Sequence, residues 1–294
     1  AMFLIISEIY LFLFRTHVIL GNGFDLDLGW KTSYKDFFRA KQDSFYRYNN
    51  LSYIKQMIEG ECWYNLEGYL RQCVLSVEQT EVKQLNDFWQ ICSNFMLDYF
   101  SKNISEFKTN HNSCAYRLMT TLNDSVVYTF NYTNPFVKEG IKEPEIHFIH
   151  GKLEGSFNGT QMKLGVDMGV VQENGLSKDY YLKPLLKSDA NTEKDGLLCQ
   201  LKESHNIIIY GHSLSITDSD YFKLFFEYIA SNRFTSKSLY FVVYDANGLQ
   251  MIKNNMKEYG ISFDEIQFSN NNIYIVYTSK GTEHSTFKNM LGVV

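Results

Sequence analysis

The sequence predicts an α/β fold in which a mostly parallel sheet carries helices on both faces. Short apolar runs rich in β-branched residues alternate along the chain with longer segments of helical periodicity. The apolar runs show little alternation with polar residues, which is typical of strands buried on both faces. The 294 residues contain no internal repeat and no Pro- or Ser-rich linker, so we expect residues 1–294 to form a single domain.

Six short apolar segments are the predicted strands, and polar or glycine-rich residues follow four of them directly. The segments cover 16–20, 126–130, 145–149, 207–210, 239–244 and 273–277. The clusters that follow the first four are GNGFD at 21–25, NYTN at 131–134, HG at 150–151 and GHSL at 211–214. Because ligands of open parallel sheets bind outside the carboxyl ends of the strands, we expect the four clusters to line one crevice.

Helical periodicity marks the segments between the strands. It covers about 34–47, 65–79, 87–107, 219–231 and 249–259, and Ser33 with Asp36 has the pattern of an N-terminal cap for the first of them. The first three segments have broad apolar faces that need a partner surface. We therefore expect about 38–122 to be a helical insertion that covers the pocket rather than an independent domain. Residues 155–200 are polar and rich in turns, and the pattern assigns them no structure.

Composition argues against several classes of protein. A formal net charge of −5 is not that of a non-specific nucleic-acid binder. The five cysteines are odd in number and contain no CxxC pair, so we expect no structural zinc, and reduced thiols in a cytoplasm. Residues 2–14 are apolar but too short to span a membrane, and they lack the features of a signal peptide. We expect them to be a buried helix or strand, or a loosely held arm.

The loop Gly21-Asn22-Gly23 comes directly after the first predicted strand. Its glycines permit a close backbone approach, so its amides are candidates for binding a phosphate. A simple tight Asn-Gly turn is the alternative. The loop is not a complete G-x-G-x-x-G fingerprint, and the chain contains no P-loop motif.

Asp25 and Asp27 are candidates for contacts with a ribose or for acid–base chemistry. Asn131 is a candidate for hydrogen bonds to an amide or a ribose. Turn and cap formation is the alternative for the two aspartates, and a turn at the end of a strand is the alternative for Asn131.

His150 is the candidate general base, because a histidine can accept a proton near neutral pH. A structural histidine bonded to a backbone carbonyl is the alternative. His147 stands three residues earlier and would point to the opposite face of a strand, which disfavours a metal site with two histidines. Gly211-His212-Ser213, with Asp218 and Asp220, is a candidate for binding hydroxyl groups, and capping of the next helix by Thr217, Asp218 or Ser219 is the alternative.

These clusters, in this order, resemble the AbiH family of bacteriophage abortive-infection proteins. The opening run LGNGFDLDLGWKTSYKDF resembles the first signature of that family. The later blocks are WYNLEGYL at 63–70, TFNYTN at 129–134, IHG at 149–151, LGVD at 164–167 and YGHSLSITDSDYF at 210–222. The resemblance spans residues 18–222.

AbiH proteins in turn resemble the sirtuin-like fold, which binds NAD. Four sirtuin blocks have counterparts here: the glycine loop in Gly21–Gly23, the TQNID block in 129–133, the catalytic HG in His150-Gly151, and the GTS block in Gly211–Ser213. This chain differs from sirtuins in three respects. Thr133 stands where sirtuins have an aspartate, Asn22 stands where their glycine loop has a small residue, and the zinc-binding cysteines are missing. The resemblance therefore implies an NAD-like pocket without the module that seats an acyl-peptide, as in the sirtuin-related NAD hydrolases of phage defence.

The resemblance implies a cytoplasmic antiphage effector that hydrolyses the nicotinamide–ribose bond of NAD without a metal. The implied catalytic residues are Asn131, His150 and Asp25. The implied nucleotide-binding residues are Gly21, Asn22, Gly23, Phe24, Thr129, Gly211, His212 and Ser213. A side chain at Gly21 or Gly23 would then fill the space of the pyrophosphate. No membrane or nucleic-acid partner is implied, while a phage-derived trigger and self-association are left open.

Two other functions are compatible with the same residues. One is a nucleotide sensor that binds without catalysis. The other is a different hydrolase, such as a nuclease, which would need metal-binding carboxylates. The candidates for such a cluster are Asp25, Asp27, Asp167, Asp218 and Asp220.

Overall fold

The computed structural model describes residues 15–151, 153, 164–166, 192–232, 234 and 236–292. The apolar run at 2–14 and most of the unassigned segment 155–200 lie outside these residues. Within the described ranges, no helix is long and apolar enough to cross a membrane.

Six parallel strands form one sheet at the positions that the apolar segments predict. They are β1 (His17–Leu20), β2 (Val126–Thr129), β3 (Glu145–Phe148), β4 (Asn206–Tyr210), β5 (Ser238–Val243) and β6 (Asn272–Tyr277). Their order across the sheet is β3-β2-β1-β4-β5-β6, and every neighbouring pair is parallel. This is the order of doubly wound Rossmann-type sheets, and the chain reverses its winding direction between β1 and β4. The predicted α/β class is confirmed.

The centre of the sheet is buried on both faces, which explains why its strands read as unbroken apolar runs. Successive residues of a strand point to opposite faces. Ile19 and Ile209 accordingly belong to one hydrophobic core, and Val18 and Ile208 belong to another on the reverse face. All four side chains are fully buried.

Helices cover both faces of this sheet. They are α1 (Asn22–Asp27), α2 (Tyr34–Tyr46), α3 (Ser52–Glu59), α4 (Leu66–Ser76), α5 (Val82–Asn103), α6 (Cys114–Met119), α7 (Pro135–Glu139), α8 (Thr192–Glu203), α9 (Ser219–Ser231), α10 (Ala246–Glu258), α11 (Phe263–Phe268) and α12 (Ser285–Leu291). Short 3₁₀ turns at Cys62–Asn65 and Ile216–Asp218 precede α4 and α9. The predicted cap of α2 is present, since the Ser33 hydroxyl accepts a hydrogen bond from the Asp36 amide at 3.1 Å.

Helices α2 to α5 make up most of the predicted helical insertion. Their buried side chains, such as Phe45, Phe88 and Leu70, belong to the same core as Ile19 and Val126 of the sheet. The block therefore buries its apolar faces within a core that it shares with the sheet. The single-domain organisation of residues 1–294 stays a prediction.

A fragment that contains only residues 38–122 is expected not to fold cooperatively. Much of its apolar surface would lose its partners, and a small domain retains little net stability without a complete core. Thermal unfolding followed by circular dichroism would test this. A single sharp unfolding transition of the isolated fragment would instead make the helical block an independent domain.

The structure corrects one local prediction and adds elements that the periodicity missed. The tight turn suggested as the alternative for Gly21-Asn22-Gly23 is wrong, because α1 begins at Asn22, and Gly21 is its extended N-cap residue, with φ −109° and ψ 179°. Helices α6, α7 and α11 have five or six residues, too few to show a period. Helix α8 lies partly inside the segment that the sequence left unassigned.

Candidate functional site

A cavity of about 500 Å³ lies at the carboxyl edge of the sheet, and all four polar clusters contribute to its wall. Gly21, Asn131, His150 and Gly211 represent the loops after β1, β2, β3 and β4. The helical block closes another side with residues that include Tyr34, Tyr64, Asn65, Glu67, Met96 and Phe100. The four clusters thus line one crevice, as expected, at the point where the winding of the sheet reverses.

The glycines of this site hold the loops after β1 and β4 against each other. The Gly21 amide donates to the Tyr210 carbonyl, and the Gly23 amide donates to the Gly211 carbonyl, both at 2.9 Å. A Cβ atom at Gly21 would lie 2.5 Å from His212 Cα, and one at Gly23 would lie 2.6 Å from Gly211 Cα. Contacts of this length are too short for carbon atoms, so only glycine fits at these positions.

These contacts correct the role that the sequence suggested for the glycine loop. Its amides were expected to face a phosphate, but the Gly21 amide is bonded to Tyr210, the last residue of β4, and the Gly23 amide is bonded to Gly211. The space beside their Cα atoms is filled by the backbone of Gly211 and His212 rather than left open for a pyrophosphate. The loop therefore shapes the wall of the cavity through backbone packing.

Asp25 and Asn131 form a buried hydrogen-bond network in the wall of the cavity. The Nδ2 group of Asn131 donates to Oδ1 of Asp25 at 3.0 Å and to the Gly21 carbonyl at 3.1 Å. The Thr133 hydroxyl bonds to the other carboxylate oxygen. Asp25 is 1% exposed and Asn131 is 6% exposed. These contacts fix the orientation of the Asn131 amide, so Asp25 acts on the site through Asn131.

Burial raises the pKa of Asp25 from 3.8 to about 7, although its bonds to Thr133 and Asn131 act in the opposite direction. The folded protein then binds a proton more tightly than the unfolded chain does. The unfolding free energy contributed by this group is therefore highest below pH 3.8 and falls as the pH rises to about 7.

The variant Asp25→Asn is expected to lose this part of the pH dependence. Asparagine is isosteric with aspartate and carries no titrating proton. A pKa shift of this size corresponds to a change of roughly 4 kcal/mol in the unfolding free energy between the two ends of the pH range. Urea unfolding of both proteins at pH 4 and at pH 8 would measure it. The variant should gain stability relative to the parent protein as the pH rises, and parallel pH curves would contradict the assignment.

His150, Asp218 and His212 form a second buried cluster in the wall of the cavity. Nε2 of His150 lies 3.3 Å from Oδ1 of Asp218, and Nε2 of His212 lies 3.5 Å from Oδ2 of the same carboxylate. The three residues are between 3% and 6% exposed. The ring of Phe130 packs against both imidazoles, with centroid distances of 5.2 Å to His150 and 4.4 Å to His212.

The capping role suggested for Asp218 is wrong. Asp218 occupies the N-cap position of α9, but its side chain makes no capping hydrogen bond. Its carboxylate is directed towards the two histidines instead. An aspartate cap typically contributes about 1 kcal/mol, so the local sequence gives up a stabilising contact at this position.

Several aromatic and acidic side chains of the cavity were missed by the sequence reasoning. Burial raises the pKa of Tyr34 well above its usual value, helped by a hydrogen bond to Glu67. Burial also raises the pKa of Tyr132, and Glu67 and Asp218 reinforce this effect. The Tyr132 hydroxyl is buried without a hydrogen-bond partner in the described part of the chain. Glu67 and Tyr132 lie inside the blocks WYNLEGYL and TFNYTN, and this was the available signal.

Some predicted site residues do not line the cavity. Phe24 packs against Tyr210 in the core on the reverse face of the sheet. The Thr129 hydroxyl accepts a hydrogen bond from the backbone amide of Asn131 at 3.1 Å, so it supports the backbone position of Asn131. Asp27 is bound by the Tyr210 hydroxyl at 2.6 Å and by the Ala115 amide at 2.7 Å.

The remaining predicted residues differ in their relation to the cavity. Asn22, His212 and Ser213 belong to its wall, whereas His147 and Asp220 are not among the described residues that line it. Asp167 lies outside the described residues. Among the described residues, no group of three or more His, Cys, Asp or Glu side chains has the arrangement of a metal site.

Comparison with known proteins identifies the family. A search of curated proteins finds no match for this chain. The family model described as "Bacteriophage abortive infection AbiH" matches residues 18–240, which include β1 from its second residue, β2 to β4, the helical block and every cavity cluster. The match supports a role in abortive infection by bacteriophage. The chain belongs to the AbiH family.

Proposed function

We propose that the cavity binds NAD and hydrolyses its nicotinamide–ribose bond, so that this abortive-infection protein acts by depleting NAD in infected cells. One observation carries the proposal. An oriented amide, Asn131, and an imidazole with a carboxylate partner, His150, line the same cavity at the winding reversal of a Rossmann-type sheet. A volume of about 500 Å³ lies within the range of small-molecule sites.

The charges of the cavity favour a substrate whose reacting part is cationic. Its wall contains the carboxyl groups of Glu67 and Asp218, together with Asp25, whose raised pKa of about 7 leaves it partly protonated near neutral pH. Among the residues that the structure describes there, the wall contains no Lys or Arg. The nicotinamide ring of NAD carries a positive charge, and cleavage of its bond to ribose passes through an oxocarbenium-like state. Carboxylates next to such a state stabilise the positive charge as it moves onto the ribose.

The proposed reaction needs only water as a second reactant. The bond between C1′ of the ribose and the nicotinamide nitrogen breaks, and nicotinamide leaves as a neutral molecule. The oxygen of water bonds to C1′, and its proton passes to His150 and then to solvent. Asn131 orients the ribose or the attacking water, since its amide is held by Asp25 and the Gly21 carbonyl. The products are nicotinamide and ADP-ribose.

Asn131→Ala is expected to reduce NAD turnover by about 10²-fold or more and to weaken NAD binding by a smaller factor. The amide contacts both substrate and water on this mechanism, so its loss affects the transition state more than the ground state. Two measurements check this prediction: calorimetry gives the NAD affinity of the variant, and chromatography of the products gives its rate of turnover. Tyr64→Ala, at the exposed mouth of the cavity, is a comparison variant that should change affinity with little effect on kcat.

The two other functions give different results in the same experiment. A sensor would bind NAD or a related nucleotide in every variant that keeps the cavity and would convert none of it. A nuclease would cleave nucleic acid in a reaction stopped by a chelator, whereas the proposed hydrolysis continues in its presence. Unchanged turnover in a folded Asn131→Ala protein would contradict the role assigned to the amide.

A further inference from the structure

We infer that Asp218 is a positioning residue that holds the proton of His150 on Nε2 and leaves Nδ1 as the nitrogen that accepts a proton. This inference deepens the proposed function and rests on it for the catalytic step. The arrangement itself rests on the contacts of three buried side chains.

The position of the proton follows from the chemistry of a neutral imidazole, which carries one proton on one of its two nitrogens. Nε2 of His150 lies 3.3 Å from Oδ1 of Asp218. A carboxylate accepts a hydrogen bond and cannot donate one when ionised. The tautomer with the proton on Nε2 is therefore the one that Asp218 stabilises, and Nδ1 then has a lone pair for the proton of water.

Nε2 of His150 is buried and has no hydrogen bond of good geometry within the described residues. The same atom is within ion-pair distance of Asp218. Catalytic hydrogen bonds are often long in an empty site and shorten when the substrate binds. A slight rotation of the His150 ring or of the carboxylate would bring these atoms into a hydrogen bond.

His212 holds the other oxygen of this carboxylate. Its Nδ1 atom accepts a hydrogen bond from the Leu214 amide at 3.0 Å, so a neutral ring carries its proton on Nε2. That nitrogen lies 3.5 Å from Oδ2 of Asp218. The ring is therefore a donor directed at the carboxylate, and it orients Asp218 towards His150.

Asp218 also stabilises the product of the proton transfer. When His150 accepts a proton from water, the imidazolium carries a positive charge next to the carboxyl group of Asp218. The pairing is strong because all three side chains are buried away from water. The geometry repeats the logic of catalytic histidines whose second nitrogen is held by an aspartate.

The first test is NMR of the imidazole nitrogens of the full chain, which requires no catalysis. In the parent protein at pH 8, the signals of His150 are expected to show the proton on Nε2, with assignment by His150→Gln. A proton on Nδ1 would overturn the inference even if the protein cleaves NAD. This measurement also keeps the inference testable if the substrate is not NAD.

The second test compares two aspartates of the same helix start. Asp218→Asn is expected to shift the tautomer of His150 towards Nδ1 and to lower kcat for NAD at least about 100-fold, with a smaller change in KM. Asp220 lies two residues further along the chain, and its side chain does not line the cavity. Asp220→Asn makes the same change of side chain and should leave the tautomer of His150 and the kcat for NAD unchanged. Equal tautomer spectra for the two variants would contradict the positioning role.

Discussion

His150→Ala is expected to lower NAD turnover by about 10²–10⁴-fold while NAD affinity stays within a few-fold of the parent value. A general base acts mainly in the transition state, so its removal affects kcat far more than binding. The cavity walls contributed by other elements, including Asn22, Ser213 and Tyr132, remain in place. Calorimetry and chromatographic turnover on the same preparation give the two numbers.

The fold is expected to survive this change, although His150 is only 3% exposed. Its ring borders a cavity that already exists, so the space left by alanine joins that cavity rather than opening a new one in the core. The control is His147→Ala, on the exposed edge strand β3, which should keep full activity. Wild-type turnover in a folded His150→Ala protein would make the hydrolytic mechanism wrong.

Gly211→Ala is expected to lower the unfolding free energy by at least about 3 kcal/mol. The same change should distort the cavity wall that the loops after β1 and β4 form. Gly211 has φ +60°, and its added Cβ would lie 2.5 Å from the backbone of Gly23 and Phe24. Backbone atoms cannot move aside as a flexible side chain can, so the loops after β1 and β4 would separate. Urea unfolding measures the loss.

Gly140→Ala is the matched control for the clash. Gly140 has φ +64°, nearly the same as Gly211, but its Cβ would meet nothing within 4 Å. The left-handed conformation alone costs an alanine about 1–2 kcal/mol. The difference between the two variants therefore isolates the contact between the loops. Equal losses would show that the close approach of Gly211 to Gly23 contributes nothing.

Most of the sheet was predictable because its central strands are buried on both faces. Runs such as Ile207–Tyr210 lack polar interruption, and each predicted strand lies within two residues of its observed bounds. The start of α1 was not predictable, because Gly21 and Gly23 are favourable in a tight turn as well. Gly211, distant in sequence, packs closely against both glycines, and this contact is not visible in the local pattern.

The candidate site was predictable as a list of residues but not as a set of contacts. Strand ends identified Asn131 and His150, since polar residues after apolar strands gather at one edge of a parallel sheet. The partners of these residues come from elsewhere in the chain. Asp218 looked like a helix cap, and Asp25 looked like a catalytic group rather than the support of an amide. Local patterns cannot distinguish these roles, because each depends on a loop that packs from another element.

Incubation of the purified full chain with NAD, in the presence of EDTA, tests the central claim most directly. Chromatography should show nicotinamide and ADP-ribose forming in equal amounts, with His150→Ala as the inactive control. NAD that stays intact for hours at excess protein, although calorimetry shows that it binds, would contradict the claim and favour a nucleotide sensor.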